Sequence, residues 1–488
     1  MSAQTFPNSP MGLPSSLKFD LPPSMSDSCR SYSVNVSPDG ITQVVGNTPI
    51  TTVFVANSSG AFGNYTAQNV SFTIPSGMSD SVFLDPLATT LSFSLTYNVT
   101  TASSATAALI HLIGSGASWF DGLTLYSNNQ PIETINQYGL LQNFLLQNTV
   151  NSSERNGGIS VSMGADSNSN NGIDLAHGTI ASYRYSFCIP LLSVIGANAG
   201  DKLFPVGSVN NLQLVMTTAN ITPIGSYCTA VATQPVFSAF TLGDFNLNMK
   251  YIDVGDLSAQ MLRQTLQNGK WYIKASTYTN SSVNIPNGSS GAVQALLQIR
   301  NTSVKSIFHQ FGITQGAVSP NGYYDALNIA LTSRQLTTGS QFFPNRPIND
   351  CRAPAEGYNY LIQSLGGGLT KTLGTVVNRN TYNSVIPSIP SGSDTALVVP
   401  SAGTRAATTN DDSGSQIVLK FPSMAYYGYD MEKSSGILFQ GVNTRASPPF
   451  LNLFLGAAST STVTCQAWGL SDLVLEFDLN SKQITPYI

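Results

Sequence analysis

The amino-acid sequence predicts an all-β protein made of two tandem eight-stranded β-sandwiches, with short helices and long loops. Throughout the chain, short runs rich in Val, Ile, Phe, Tyr and Thr alternate between apolar and polar residues, and Gly, Pro, Asn and Ser interrupt them. Such alternation with frequent turn signals is typical of antiparallel sandwiches and barrels. The pattern also occurs twice within the 488 residues, so each half has the size of one large β domain.

Five sequence blocks recur in the same order in the two halves, displaced by roughly 200–240 residues, the length of a large β domain. Two of them are specific. An Ile-Pro-x-Gly turn occurs at Ile74 and Ile285, and a Tyr-x-x-Leu-x-x-x-Leu pattern begins at Tyr138 and Tyr358. Since positions i, i+3 and i+7 share one helix face, the second pattern predicts a short helix in each half. The other blocks are alternating strands, which any all-β chain contains: those near Leu91 and Val293, Leu212 and Leu451, and Phe245 and Leu473.

The duplication divides the chain into four parts. At about 210 residues, each half fits an eight-stranded jelly roll with long loops better than an immunoglobulin-like domain of about 100 residues. Between the halves lies a stretch with a helical pattern that ends at Asn268-Gly269. We therefore predict an extended N-terminal arm at 1–45, a first jelly roll at 46–255, a linker at 256–270 and a second jelly roll at 271–488.

The arm and two insertions are expected to lie outside the sandwiches. Residues 1–45 are rich in Ser and Pro and carry little apolar pattern. Segments of this kind normally become ordered only against a partner. The polar insertions at 151–180 and 366–416 are long for loops of a compact domain, and such loops are usually functional or mobile. We expect the insertions to form towers at the outer end of the molecule.

The charge content is unusually low and restricts the classes of partner. Only 9% of the residues are charged, against about 25% in a typical soluble domain. A surface of Ser, Thr, Asn, Gln and Gly suits a protein whose sides are covered by neighbours, because few charges then have to be desolvated on assembly. A secreted carbohydrate-binding adhesin has a similar composition. The net charge of −4 offers no electrostatic footprint for nucleic acid.

The start of the chain and the cysteines indicate a protein made in the cytosol. No basic region followed by an apolar stretch begins the sequence, and no apolar run is long enough to span a bilayer. The five cysteines are odd in number, far apart and never in a C-x-x-C pair. This pattern predicts free thiols in a reducing compartment.

No constellation in the sequence predicts catalysis, metal binding or a cofactor. His111, His177 and His309 lie in separate blocks without a Cys or carboxylate at ligand spacing. The Gly-rich stretch 366–371 lacks P-loop spacing, and Asp411-Asp412 lacks the alternating oxygens of a calcium loop. We therefore predict that the protein is not an enzyme and has no catalytic, cofactor-binding or metal-binding residues.

Two further groups of residues have structural interpretations. Glu133 and Glu356 precede the duplicated helix at similar places, which indicates a repeated structural position rather than the acid pair of a glycosidase. Aromatic residues in lectins stack on sugars, but far more often they fill a core or an interface. We favour the second role for Trp119-Phe120, Trp271-Tyr272, Tyr426-Tyr427 and Trp468.

With its tandem duplication, the sequence resembles the double jelly-roll major capsid proteins of adenovirus-like, polinton-like, virophage and large DNA viruses. The resemblance covers nearly the whole chain. It rests on the duplication and on three stretches, none of which is diagnostic by itself: Val82-Phe-Leu-Asp-Pro-Leu, Ile132-Glu-Thr-Ile-Asn-Gln-Tyr, and Asn443-Thr-Arg followed by Pro448-Pro-Phe-Leu-Asn-Leu. Within the family, these stretches are most similar to the smaller polinton-like and virophage-type proteins.

The resemblance implies a self-assembling structural protein of an icosahedral DNA virus. Such proteins form homotrimers in which six jelly rolls make a pseudo-hexagonal block, and many trimers tile the shell. The implied partners are neighbouring capsid trimers, a penton protein at the five-fold vertices and minor capsid proteins, with an internal membrane beneath the shell left open. The implied location is the virion, after synthesis in the host cytoplasm. No sequence-specific binding of nucleic acid is implied.

Two alternatives remain at the level of the sequence. The first is the secreted or surface carbohydrate-binding adhesin with tandem β-sandwiches, which would require an export signal and exposed aromatic residues. The second is the capsid protein of a small RNA virus with one jelly roll and a projecting domain. Many such proteins package RNA through a basic arm. Here the arm carries Lys18 and Arg30 against three aspartates, so we rank this alternative last.

Overall fold

The fold was determined as a computed structural model, which describes most of the strands of both halves of the chain. The described residues are 29–39, 69–101, 108–113, 115–164, 172–177, 182–200, 202–219, 224–228, 236–264, 269–313, 326, 329, 331–349, 354–366, 425–432, 441–456 and 462–487. Among them, no helix is both long and apolar enough to cross a lipid bilayer.

The first half consists of β-strands with one long helix. The strands are β1 (Arg30–Val36), β2 (Asn69–Ile74), β3 (Val82–Thr101), β4 (Ala108–Ile113), β5 (Phe120–Ser127), β6 (Gln130–Asn136), β7 (Gly172–His177), β8 (Ser182–Pro190), β9 (Leu212–Thr218), β10 (Ile224–Cys228) and β11 (Val236–Asp253). The helices are α1 (Tyr138–Thr149), the short α2 (Ser152–Glu154) and α3 (Ser160–Met163), and a π-helical turn at Arg155–Ile159. Three 3-10 turns lie at Gly116–Trp119, Ala197–Ala199 and Val206–Ser208.

The second half repeats this arrangement after a connecting helix, α4 (Asp256–Gln264). Its strands are β12 (Lys270–Ile285), β13 (Gly291–Leu296), β14 (Val304–Ile313), β15 (Leu331–Thr338), β16 (Gln341–Ile348), β17 (Tyr426–Asp430), β18 (Phe450–Leu455), β19 (Val463–Asp478) and β20 (Gln483–Tyr487). Helix α5 (Pro354–Ser364) stands between β16 and β17, as α1 follows β6 in the first half.

The two halves have the same strand topology. In the first half, sheet A1 has the order β1-β11-β3-β8 and sheet B1 the order β2-β9-β5-β6. In the second half, sheet A2 has the order β12-β19-β14-β17, extended by β20 beside β19, and sheet B2 the order β13-β18-β15-β16. When β4, β7, β10 and β20 are left out, eight strands remain in each half. Numbered from 1 to 8 along the chain, these strands have the orders 1-8-3-6 and 2-7-4-5 in both halves. Two four-stranded antiparallel sheets with Greek-key crossings are a jelly roll, so the predicted double jelly roll is confirmed.

An additional sheet extends one end of the first sandwich. This sheet C has the order β10-β4-β7. Each strand of sheet C is next in the chain to a strand of sheet A1: β4 follows β3, β7 precedes β8 and β10 precedes β11. The corresponding ends of β3, β8 and β11 lie together, because Thr101 pairs with Val236 and Asn98 with Ser182. The insertion predicted at 151–180 thus contains α2, α3 and β7. The predicted insertion at 366–416 lies outside the described residues except for Gly366.

Strand β1 lies within the range that the sequence assigned to an extended arm. Its seven residues pair antiparallel with β11 without interruption, from Arg30 opposite Asp253 to Val36 opposite Leu247. These residues therefore belong to sheet A1, and the arm interpretation is wrong for them. Helix α4 falls in the range assigned to the linker, where the sequence showed a helical pattern.

The duplicated blocks match in part. The helix pattern occupies α1 and α5, and the blocks near Leu212 and Leu451 and near Phe245 and Leu473 lie on equivalent strands. The Ile-Pro-x-Gly turns are not equivalent, because the first follows the second strand of its sandwich and the second follows the first strand. The strands that come next are likewise not equivalent, because β3 is the third strand of its sandwich and β13 is the second.

Apolar residues at every second position of the strands form the two cores. Leu91, Phe93 and Leu95 of β3 are buried in the first sandwich, and the inward residues of β18 are buried in the second. Burying each of these side chains contributes roughly 1.5–3 kcal/mol. The apolar cluster of the first core continues through α1 to the outer face of sheet A2, where it includes Phe308 and Trp468.

Gly139 provides a test of the packing of α1 against the 3-10 turn at Gly116–Trp119. A Cβ at this position would lie 2.8 Å from the carbonyl oxygen of Ala117 and 2.9 Å from that of Phe120. Because backbone atoms cannot move aside, we expect Gly139→Ala to lower the free energy of unfolding by about 1–3 kcal/mol. The measurement is urea denaturation followed by fluorescence. Gly158→Ala is the control, since its Cβ would meet no atom within 4 Å, and an equal loss in both variants would contradict the packing.

Candidate assembly interface

Helix α1 lies between the two sandwiches and is enclosed by both. Ten of its residues are buried, including the polar Gln142, Asn143, Gln147 and Asn148. A surface helix of a globular protein normally keeps its polar face in water. Burial on all sides therefore marks α1 as part of an interface between the two sandwiches.

The first sandwich holds α1 through both ends of the helix. At its start, the backbone amide of Leu192 donates a 2.9 Å hydrogen bond to the hydroxyl oxygen of Tyr138, and burial raises the pKa of this phenol. One turn later, the side-chain amide of Gln142 donates to the carbonyl oxygen of Pro190 at 3.3 Å. Near its end, the buried guanidinium of Arg155 donates to Gln147 at 2.5 Å. The helix is thus fixed on the first sandwich before it meets the second.

Phe144 of α1 is the central apolar contact with the second sandwich. Its ring stacks on Phe308 of β14 with the centroids 4.7 Å apart and the planes 11° apart. It also meets Tyr426 of β17 edge to face at 5.0 Å and lies 6.0 Å from Trp468 of β19. Aromatic pairs of this kind contribute about 0.5–1.5 kcal/mol beyond the burial of their area. One side chain of the first half therefore contacts three strands of sheet A2 on their outer face.

Glu133 is the central polar contact of the interface. One carboxylate oxygen accepts hydrogen bonds from the Ser193 hydroxyl at 2.6 Å and the Val194 amide at 2.9 Å. The other accepts from Asn198 at 3.3 Å and, across the interface, from the hydroxyl of Thr277 on β12 at 3.1 Å. Burial raises the pKa of Glu133, while the four hydrogen bonds oppose this shift. The carboxyl group thus joins a loop of the first sandwich to the first strand of the second.

Further contacts extend the interface beyond α1. Phe204 meets Phe477 edge to face at 5.2 Å, and Phe83 meets Trp271 at 5.3 Å. The ammonium group of Lys202 donates to the carbonyl oxygen of Lys274 at 2.8 Å. These contacts place the C-terminal part of β19 and the strand β12 against the first sandwich.

The equivalent helix of the second sandwich, α5, has an open face. It packs on its own sandwich through Leu361 and Ile362, which are buried, whereas Asn359 and Gln363 are exposed. In the Tyr-x-x-Leu pattern, Gln363 corresponds to Asn143 of α1, which is buried. Helix α5 itself packs on β17 of sheet A2, where Ser364 meets Gly428 and Leu361 joins the apolar cluster that contains Phe144, while Asn359 and Gln363 remain exposed in the described part of the chain.

The equivalent sheet face of the first sandwich is also open. The outer face of sheet A2 includes the aromatic residues Phe308, Tyr426 and Trp468 under α1. The outer face of sheet A1 is polar and includes Ser92, Ser186 and Asn246. Arg184, Ser186 and Pro190 on strand β8 are exposed. Within the described part of the chain, exposed polar residues therefore lie on α5 of the second sandwich and on the outer face of sheet A1 of the first.

The structure brings none of the three histidines into a ligand cluster with other metal-binding side chains, as far as its described residues extend. His111 and His177 lie in β4 and β7. His309 is buried in the second core between Tyr427 and Tyr429, and burial, together with the nearby Arg334, lowers the pKa of its imidazole well below the usual value. Asp411-Asp412 and most of the Gly-rich stretch lie outside the described residues.

Most of the aromatic candidates for sugar stacking occupy cores and the interface. Trp119, Phe120, Tyr426, Tyr427 and Trp468 are buried and Trp271 is half-buried. Among these candidates, Tyr272 alone is exposed, with 59% of its surface accessible. A sugar-stacking platform requires open rings, so these residues do not favour the adhesin.

Glu356 and Phe144 differ from what the sequence indicated. Glu356 is not equivalent to Glu133, because it lies in the first turn of α5 and pairs with Arg346 at 2.7 Å near the surface. Phe144 was not identified from the sequence. Its signal would have been an apolar residue about 90° around the helix from the repeated Tyr-Leu face.

The buried carboxyl of Glu133 predicts a pH dependence of stability. Because its pKa is higher in the folded than in the unfolded chain, the folded chain binds the proton more tightly, and stability falls as the pH rises from the unfolded pKa to the folded one. We expect Glu133→Gln to remove this part of the pH profile. Urea midpoints measured between pH 4 and 8 test it, with Glu356→Gln as the control that keeps the wild-type profile. A Glu133→Gln profile parallel to wild type would contradict the assignment.

Comparisons with known proteins support the fold across the whole chain. No family model and no curated protein matches the sequence. In structure, the chain is similar to a chain of the cryo-EM structure of the Sputnik virophage, with a TM-score of 0.55, 10% identity and coverage of 92% of this chain and 90% of that chain. It is also similar to PBCV-1 VP54, fitted into a reconstruction of Sputnik, with a TM-score of 0.53, 11% identity and coverage of 94% and 97%.

A third similar structure is the Faustovirus major capsid protein, with a TM-score of 0.52, 8% identity and coverage of 91% of this chain and 90% of that chain. At these identities, the likeness concerns the backbone fold and not the individual side chains. The matches nevertheless extend over about nine tenths of the chains on both sides, so they include both sandwiches and their connection. This chain therefore has the double jelly-roll fold of viral major capsid proteins.

Proposed function

We propose that this chain is a major capsid protein that assembles into pseudo-hexagonal trimers, which tile the shell of an icosahedral virus. The observation that carries the proposal is the head-to-tail contact between the two sandwiches, together with the exposed polar residues of α5 and of the outer face of sheet A1 in the described part of the chain. The shared fold with capsid proteins and the low charge of the chain support it.

The contact inside the chain is heterologous, because a helix of the first sandwich meets a sheet face of the second. Since both sandwiches have the same topology, each carries a helix and a sheet face of this kind. Within the chain α1 meets sheet A2, and among the described residues we assign the exposed side of α5 and the polar outer face of sheet A1 to the contact between chains. A heterologous contact that repeats between chains produces a ring if its rotation closes. Three chains then make a ring of six similar sandwiches.

The two kinds of contact differ in polarity. Within the chain, Phe144 and its partners make an apolar contact that forms with the fold. Between chains, the open surfaces carry Asn359 and Gln363 on α5 and Ser, Thr and Asn on sheet A1. Interfaces between proteins that first exist separately are typically more polar than obligate ones. This polarity supports a chain that folds alone and associates afterwards.

The proposed activity is assembly rather than catalysis, and the proposed location is the virion after synthesis in the host cytoplasm. In a closed shell, trimers of this shape require neighbouring trimers on their sides and a different protein at the five-fold vertices. Minor capsid proteins, and in some shells a membrane, lie beneath such a layer. The net charge of −4 does not favour direct binding of the packaged genome through a basic surface.

The first test is the mass of the purified protein under native conditions. Three chains of 51.7 kDa give a particle of about 155 kDa. We expect native mass spectrometry to show this species at micromolar concentration, and negative-stain images to show hexagonal outlines. A monomer at all concentrations would overturn the proposal.

A second test addresses the open face of α5. Gln363→Glu places a charge on a surface that the proposed contact buries, and an unpaired buried charge is costly. We expect the variant to shift the equilibrium from trimer to monomer by at least about tenfold, measured by sedimentation. Gln260→Glu on the exposed side of α4 is the matched control and leaves the trimer intact. Equal dissociation of both variants would attribute the effect to net charge instead.

A further inference from the structure

The outer face of sheet B2 exposes three phenylalanine rings. Phe342 of β16 and Phe450 and Phe454 of β18 are 50%, 36% and 48% accessible. Their neighbours in the chain, Leu451 and Leu453, point into the second core. Because side chains alternate along a strand, the three rings lie on the side of the sheet that faces away from the core.

The strand register brings the rings into one patch. Phe450 is opposite Thr337 of β15, and Thr337 is opposite Phe342, so these residues form one row across the sheet. On the other side of β18, Leu296 of β13 is opposite Phe450. Phe454 lies four residues farther along β18, with the row of Asn452 between it and Phe450. We call this surface the phenylalanine face.

The centre of the phenylalanine face is a row of amides. Gln294 donates a 2.8 Å hydrogen bond to the side-chain oxygen of Asn452, and the Asn452 amide donates to Thr337 at 3.1 Å. The outward residues of the three strands β13, β18 and β15 include no charged side chain: Ala292, Gln294, Leu296, Ser333, Gln335, Thr337, Phe450, Asn452 and Phe454. On these three strands the face is therefore neutral, with aromatic ends and an amide centre. On the edge strand β16, which carries Phe342, the exposed Arg346 pairs with Glu356.

The equivalent face of the first sandwich differs. On β9, the strand equivalent to β18, the outward residues are Gln213, Val215 and Thr217. On the neighbouring β2 they are Asn69, Ser71 and Thr73. A contact that all six sandwiches of a ring make alike would place similar residues on both faces. The phenylalanine face therefore has no counterpart of like residues on the first sandwich.

We propose that the phenylalanine face docks on the same face of a second copy of this chain, about a two-fold axis near Asn452, and joins neighbouring trimers. This inference deepens the proposed capsid function and rests on it. A two-fold contact requires a surface that is complementary to itself. A neutral face meets this condition, since a face with charge of one sign would repel its copy.

The size of the face fits a contact that forms only during assembly. A buried aromatic side chain covers roughly 150–250 Å², so three rings exposed by about half offer on the order of 300 Å². A stable dimer in solution buries about 800 Å² on each partner. The face alone therefore does not hold two trimers together, but a shell adds many such contacts through the same molecules.

Cross-linking at the centre of the face tests the geometry. Packed sheets lie ~10 Å apart, so Asn452→Cys in two copies comes within reach of a short bis-maleimide. Under conditions where trimers associate, we expect covalent dimers of the chain in several-fold excess over wild type. Val215→Cys on β9 is the matched control, and wild type reports on the native thiols. Equal yields for the two variants would overturn the inference.

Removal of two rings tests the energetics. We expect Phe450→Ser combined with Phe454→Ser to leave the trimer intact and to raise the protein concentration needed for association between trimers by about tenfold. Gln213→Ser combined with Thr217→Ser on β9 is the control. Unchanged association of the phenylalanine variant would overturn the inference.

The outcomes separate this inference from the capsid function itself. If wild type stays monomeric, both fail. If trimers form and associate but the phenylalanine variants behave as wild type, the docking inference fails and the trimer proposal stands. If the rings are needed only for binding to phosphatidylcholine vesicles, measured by flotation, the face contacts lipid and the inference is wrong.

Discussion

The enclosure of helix α1 between two sandwiches determines how the halves of this chain meet. Once Gly139 and Tyr138 fix the helix on the first sandwich, its outer side has to be covered, because Phe144 and the amides beside it would otherwise lie in water. The aromatic outer face of sheet A2 provides this cover. The outer face of sheet A1 instead carries polar residues such as Ser92, Ser186 and Asn246.

Much of the architecture could be predicted because it depends on short-range patterns. Alternation predicts strands, the Tyr-x-x-Leu spacing predicts α1 and α5, and the duplication predicts like topology. The failures concern long-range pairing. An Ile-Pro-x-Gly turn looks the same after the first strand of a sandwich as after the second, so local sequence cannot assign it. Likewise, Arg30–Val36 follows a Pro-rich segment, and its partner strand β11 lies about 200 residues away along the chain.

The interface was harder to predict than the fold. Glu133 and Glu356 have similar positions in the sequence, yet one lies buried on a strand and the other near the surface on a helix. The difference arises because the first faces another sandwich, and such a neighbour leaves no local signal. Phe144 is inconspicuous for the same reason, since the helix around it is almost uniformly apolar or neutral. Duplicated sequences thus indicate which surfaces correspond, whereas only coordinates show which of them are covered.

The tandem arrangement also has a kinetic consequence. In a ring of six sandwiches built from such chains, three of the six contacts form while each polypeptide folds, at an effective concentration on the order of millimolar. Only the other three require diffusional encounters. Closure of the ring thus requires the association of three chains instead of six separate domains. Around the ring, permanent contacts within a chain alternate with reversible contacts between chains, because the two sandwiches of each chain are covalently joined.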